Sequence, residues 1–198
     1  MTEQGVGSAP NIGWRGSLEA ARAESRREDK LVLIYLWHQN CGGSATMGNR
    51  TYPEPEVESY IEQHFAPIRF NTIEQPEMEA ALGSGWTPTL IVEDADGNEH
   101  RRSQGYLDVE RFLGQMALSR LQAALDHRDF EAASGLAEEA LRLTKGDPHR
   151  EPEAMYWSAV AAYKLGGNDR EALTGGWEGL LDRFPGSEWA KRAGYIRL

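Results

Sequence analysis

Leu31-Val32-Leu33-Ile34-Tyr35-Leu36 is an unbroken apolar run, entered from Lys30 and left through Trp37-His38-Gln39-Asn40-Cys41-Gly42-Gly43-Ser44. Apolar residues in a row, without polar alternation, predict a strand buried on both faces, as in a parallel or mixed sheet covered by helices. That single run constrains the fold to a layered α/β arrangement. Cys41, the only cysteine of the sequence, falls where the strand gives way to Gly-Gly-Ser and a helical pattern. A thiol in that place meets the positive end of the helix and the unpaired N–H groups of its first turn. Both favour the thiolate.

The neighbouring segments supply the rest of a sheet and its helices. Ser17 predicts an N-cap for a helix over Leu18–Glu28. After Cys41 a helix is expected to falter near Tyr52-Pro53, since proline removes a donor and clashes with the preceding turn. Val57, Tyr60, Ile61 and Phe65 repeat at helical spacing, and Ala66–Asn71 reads as a second strand, parallel to the first. Pro76–Leu82 reads as a short helix. The Thr89–Glu93 run, the Asp96-Gly97 turn and His100–Gln104 predict a β-hairpin. The order is β-α-β-α-β-β-α.

From Leu107 the pattern is helical throughout. Val109, Phe112, Leu113, Met116, Leu121 and Leu125 form one stripe, and Phe130, Ala133, Leu136, Ala137, Ala140 and Leu141 a second. Lys145-Gly146-Asp147-Pro148 interrupts. A further pair follows over Ala154–Leu165 and Glu171–Phe184, and Ser187 caps a last helix bearing Trp189, Ala193 and Ile196. Tyr156, Trp157, Tyr163 and Trp177 are read as packing between these helices, the alternative being a peptide groove.

The apolar fraction of 40% and charged fraction of 26% are those of an ordinary globular protein. A net charge of −10, spread along the chain, argues against nucleic acid, which requires a basic footprint. No apolar stretch is long enough to span a bilayer, and the start lacks the features of a signal peptide. No membrane partner and a cytoplasmic location are therefore expected. The lone cysteine excludes an internal disulfide. The five histidines show no metal-ligand spacing with Cys41 or with one another, so no metal is expected. Phosphate-binding glycine loops and the Gly-x-Ser-x-Gly elbow are also absent.

Trp37-x-x-x-Cys41-x-x-Ser44 after an apolar strand resembles the thioredoxin active-site segment with its second cysteine replaced by serine. Trp86-Thr87-Pro88-Thr89-Leu90-Ile91-Val92 is similar to the loop and strand carrying that family's cis-proline. Asp94–Glu99 resembles the hairpin after it, and Gly105-Tyr106 the close of the last strand. The resemblance covers residues 14–116 and implies an α/β thioredoxin-like sandwich. Asp129-Phe130-Glu131-Ala132-Ala133, with Ala137 and Ala140, resembles the second helix of a tetratricopeptide repeat. Its spacing to Ala172 exceeds the roughly 34 residues of such a repeat, so residues around 145–151 would loop out. The expected organisation is a flexible N-terminus (1–13), the thioredoxin-like domain (14–116) and an all-α tetratricopeptide-like helical domain (117–198).

The resemblance implies a thiol-disulfide oxidoreductase or redox chaperone acting on protein partners. Cys41 would be the nucleophile of a monothiol, mixed-disulfide mechanism, and Ser44 a hydrogen-bond donor to its thiolate. Trp37, Gly42, Gly43, Thr87 and Pro88 would bind the partner, Thr87-Pro88 by backbone hydrogen bonds to an extended peptide. Serine cannot resolve the mixed disulfide, so turnover would need glutathione or another external thiol. No cofactor is implied. Tyr35 stands where such proteins often place a buried aspartate, so the usual general base is missing. His38 is open to two readings, a cation favouring the thiolate or a solvated loop residue. The rival to the enzyme is a redox-inactive scaffold whose helical repeats bind partners.

Overall fold

A computed structural model describes residues 12–197. Helix α1 (Leu18–Glu28) is capped by Ser17, whose Oγ accepts from the Ala20 N–H at 3.1 Å, and it ends on Asp29 in the left-handed region. Strand β1 (Leu31–Trp37) leads to α2 (Gly42–Thr46), which runs on into a π-helical turn over Met47–Thr51. Then come α3 (Pro55–His64), β2 (Phe65–Asn71), α4 (Pro76–Ala81), β3 (Thr89–Glu93) and β4 (Glu99–Gln104). The remainder is helical: α5 (Val109–Asp126), α6 (Phe130–Leu143), α7 (Arg150–Leu165), α8 (Arg170–Arg183) and α9 (Glu188–Ala193), closed by a 3₁₀ turn at Gly194–Arg197. The chain divides into two compact units between Phe112 and Leu113, inside α5. Of the N-terminus expected to be flexible, residues 1–11 lie outside the described residues, while Ile12 is buried.

In the first unit the sheet runs β2-β1-β3-β4. β1 pairs parallel with β2 (Ile34 opposite Ile68) and antiparallel with β3 (Ile34 opposite Ile91). A strand flanked on both sides and covered on both faces has every side chain interior, which is why β1 carries no polar alternation. Val32, Ile34 and Leu36 pack with Ile68, Phe70 and Ile91 beneath Ala21 and Leu18 of α1 and Met78 of α4. Tyr35 points to the other face, where its ring meets Trp14 at 5.9 Å and Tyr52 at 5.1 Å, and Tyr52 meets Phe112 at 5.7 Å. The β3–β4 turn is built on buried Asp94, whose Oδ1 accepts from the Asp96 and Asn98 N–H groups. Gly97 there has φ 88°, the left-handed region that favours glycine.

The helical run that begins after Cys41 stops at Thr51, with Tyr52-Pro53 in a turn, where proline is expected to end it; what the pattern does not show is that its last turn is π-helical. The ladder widens into the π turn ahead of Pro53, and Thr51 Oγ1 donates to the Leu107 carbonyl at 2.7 Å. Single π turns of this kind sit inside α-helices at special positions.

The second unit is built on small residues. Ala117, Leu118 and Leu121 of α5 meet Ala133, Ala137 and Ala140 of α6 and Ala154 and Ala161 of α7 in one buried cluster. α7 starts at Arg150, four residues ahead of the Ala154 expected from the apolar pattern. Asp147 accepts from the Arg150 N–H, and Pro152 falls in the first turn, where no intrahelical donor is needed. Tyr156 and Trp177 stack at 4.8 Å, and Trp177 Nε1 donates to the Tyr156 carbonyl. These two rings are packing residues, as read from their spacing. No helix among the described residues is long and apolar enough to cross a membrane.

Candidate functional site

β1 ends at Trp37, and the chain turns through His38–Asn40 so that the Cys41 N–H donates to the His38 carbonyl at 3.1 Å. Cys41 is the N-cap of α2, with extended backbone (φ −90°, ψ 117°). Its sulfur therefore stands over the first N–H groups of that helix. Facing it is the loop before β3, in which the Thr87–Pro88 peptide is cis. The Cys41 thiol donates to the Thr87 carbonyl at 3.2 Å. A Cβ on Gly43 would lie 2.8 Å from Pro88 Cδ, inside any tolerated contact. Glycine at 43 is thus what lets the Cys41 turn and the Pro88 loop close on each other.

Burial pushes the Cys41 thiol pKa up. Hydrogen bonds that the ionised sulfur would accept from the Ser44 and Thr87 side chains, then from the Ser44 and Gly43 N–H groups, outweigh it and hold the thiol below its ordinary value. Ser44 is buried, and in the neutral state its hydroxyl has no hydrogen-bond partner among the described residues. The thiol proton is given to Thr87, and a neutral sulfur is a weak acceptor. Ionisation reverses this, because a thiolate accepts strongly and Ser44 Oγ is already beside it. Tyr35 lies beneath, its hydroxyl 3.4 Å from the Ser44 carbonyl and its pKa pushed up to about 12, mainly by burial. It stays protonated and cannot serve as a base at neutral pH.

A cleft of about 470 Å³ opens on Cys41. It is lined by His38, Thr72, Ile73, Glu79, Trp86 and Thr87, with Gly85 at its edge. Ile73 and Trp86 are 52% and 62% exposed, high for large apolar side chains. His38 Nδ1 is buried without a hydrogen-bond partner. A larger cavity of about 720 Å³ lies in the helical unit against Pro148, Pro152 and Pro185, with no cysteine in its lining.

Cys41, Gly43, Ser44, Thr87 and Pro88, singled out from the sequence, come together here. Trp37 and Gly42 stand apart from the cleft lining. Trp37 lies under the Arg69 guanidinium at 5.4 Å, and Gly42 is exposed with nothing against it. Sequence reasoning missed Thr72, Ile73, Glu79 and Trp86. Trp86 had a signal, an aromatic directly before Thr-Pro. The other three reach the site through β2, whose end is in register with the end of β1: the Thr72 N–H donates to the Trp37 carbonyl at 2.9 Å.

Residues 18–118, just over half of the chain, match the family model described as a thioredoxin-like domain. No curated protein matches the sequence. Among solved structures, a thioredoxin from Thermus thermophilus is 18% identical with a TM-score of 0.51, over 58% of this chain and 92% of that one. A DsbH oxidoreductase is 15% identical with a TM-score of 0.44, over 67% and 91%. The C-terminal domain of Neisseria meningitidis DsbD in its oxidised form is 24% identical with a TM-score of 0.43, over 51% and 90%. The first of these likenesses shows the fold, and the match over residues 18–118 reaches from α1 through the Cys41 turn and the Thr87–Pro88 loop into α5. This chain belongs to the thioredoxin-like family.

Proposed function

We propose that the protein performs thiol–disulfide exchange on protein partners through Cys41 alone, in a reducing compartment such as the cytoplasm. The observation that carries this reading is the sulfur's position at the mouth of a cleft, with donors arranged to favour its ionised form. The Cys41 thiolate attacks one sulfur of a partner disulfide. The partner's S–S bond breaks, a Cys41–partner mixed disulfide forms, and the partner's second sulfur leaves as a thiolate that takes a proton from water. An external thiolate then attacks the mixed disulfide, bonds to the partner sulfur and returns Cys41 as thiolate. Exposed Ile73 and Trp86 would flank an extended partner segment, with backbone of the Thr87-Pro88 loop alongside it. For the helical unit we propose a tetratricopeptide-like role in holding the partner. A groove of about 620 Å³ there, lined by Trp157, Tyr163, Lys164 and Tyr195, supports it.

The test is the rate of Cys41 alkylation against pH on folded protein. One cysteine makes the reporter unambiguous. A midpoint well below the free-thiol value of about 8.5 is expected. A midpoint at or above it overturns the reading. It would leave the rival, a redox-inactive scaffold, which the serine at position 44 and the tyrosine at position 35 favour.

A further inference from the structure

The charges around Cys41 bear on which sulfur compound can reach it. Among the described residues lining the cleft, Glu79 is the sole carboxylate, and no lysine or arginine is among them. Glu79 lies in the first turn of α4, half-buried, with no ion pair or side-chain hydrogen bond to any of the described residues. An unpaired carboxylate in a recess with low-dielectric walls focuses its field there instead of losing it to a neighbouring cation. Glu77 on α4, and Glu74 just before that helix, add to the same sign, Glu74 accepting from neutral Asn71. The remaining lining groups, Thr72, Ile73, Trp86 and Thr87, are uncharged. His38 completes the lining beside Cys41 itself.

Resting on the exchange reading above, we infer that the cleft selects its sulfur partners by charge, admitting neutral or cationic thiols and disulfides and disfavouring anionic ones, with Glu79 as the specificity-determining residue. In the exchange step the reacting group would be a cysteine flanked by apolar and basic residues. In the clearing step, an external thiolate R–S⁻ attacks the Cys41–partner disulfide, the partner sulfur bonds to R–S, and Cys41 leaves as thiolate. A thiol carrying carboxylates, as glutathione does, approaches against Glu79. A cationic aminothiol approaches with it.

The experiment compares alkylation of Cys41 by neutral iodoacetamide and anionic iodoacetate, referred to the same ratio for a free cysteine peptide. For unit charges several Å apart near a protein surface, discrimination of about five-fold against iodoacetate is expected. It should fall toward the peptide value in about 1 M salt, where screening acts within a few Å. Glu79→Gln should bring the ratio to within about two-fold of the peptide. Glu56→Gln on α3 changes net charge equally and should leave the ratio where it was. Glu79→Lys should invert the preference, so the outcome does not depend on one variant. Cysteamine should likewise clear a Cys41 mixed disulfide faster, per thiolate, than glutathione does. A wild-type ratio equal to the peptide's, or one that Glu79→Gln leaves unchanged, overturns the inference while brisk alkylation leaves thiol exchange standing. Alkylation no faster than the peptide's with either reagent overturns both.

Discussion

Replacing Ser44 by alanine separates two effects that usually travel together. In the neutral state the Ser44 hydroxyl is buried with its hydrogen-bonding capacity unused. A buried, unsatisfied polar group costs about 1–3 kcal/mol, and deleting it leaves a space of only one oxygen atom. At pH 5, where Cys41 is a thiol, Ser44→Ala should therefore be neutral or stabilising by up to about 1 kcal/mol. The thiolate state behaves in the opposite sense. A hydrogen bond to a charged acceptor contributes about 1.5–3 kcal/mol, reduced here to roughly 1 kcal/mol because Cys41 is partly open to solvent. At about 1.36 kcal/mol per pKa unit, the thiol pKa of Ser44→Ala should rise by slightly under one unit. Denaturant unfolding at pH 5 and the pH profile of alkylation measure the two quantities on one sample. A variant that loses more than about 1 kcal/mol at pH 5, or that keeps the wild-type alkylation midpoint, would refute the reasoning. Either result would mean that the hydroxyl is engaged elsewhere before ionisation.

Gly43→Ala should cost about 1–3 kcal/mol, because the new methyl meets the Pro88 ring at 2.8 Å and a ring cannot swing aside. The same forced separation of loop and turn should slow Cys41 alkylation at pH 7. A thiol whose folded pKa is depressed stabilises the fold above its unfolded pKa, and that contribution is lost as pH falls through the folded value. The stability difference between wild type and Cys41→Ser should accordingly rise with pH up to about 8.5 and then level off, and a flat difference would contradict the pKa direction. In α8, Gly176→Ala should gain up to about 1 kcal/mol in helix propensity. It should lose about 1–3 kcal/mol by overpacking, since its methyl would lie 2.6 Å from Ala159 Cβ. Net destabilisation in thermal unfolding is the expected sign. Gly135→Ala, with open space at its Cβ, should show the propensity gain alone.

What the sequence discloses depends on how local the cause is. The β1 run, the Ser17 and Ser187 caps and the Asp-Gly hairpin are fixed by neighbours within a few positions, and each stands where its pattern places it. The π turn at Met47–Thr51 is different. Thr51 bonds to the Leu107 carbonyl and Tyr52 packs on Tyr35 and Phe112, partners from distant parts of the chain. Proline at 53 marks where the helical run stops, but not that its last turn is π-helical. The cleft divides the same way. Cys41, Ser44 and the Thr87-Pro88 loop carry a motif, whereas Ile73 and Glu79 are ordinary residues until the β1–β2 register sets the segment after Asn71 beside the Cys41 turn.

The outer strands of the sheet have a consequence for what happens when many copies meet. β4 is Glu99-His100-Arg101-Arg102-Ser103-Gln104, without an aliphatic side chain, next to β3, whose centre Leu90-Ile91-Val92 is apolar. At the opposite border, β2 contains Pro67, which lacks an N–H, and its carbonyl is already taken by the Arg15 N–H at 2.8 Å. Both borders are thus poor templates for a foreign strand, one through charge and the other through a missing donor and an occupied acceptor. The two sheet borders therefore disfavour intermolecular β-pairing, and with it the strand addition from which fibrillar growth starts.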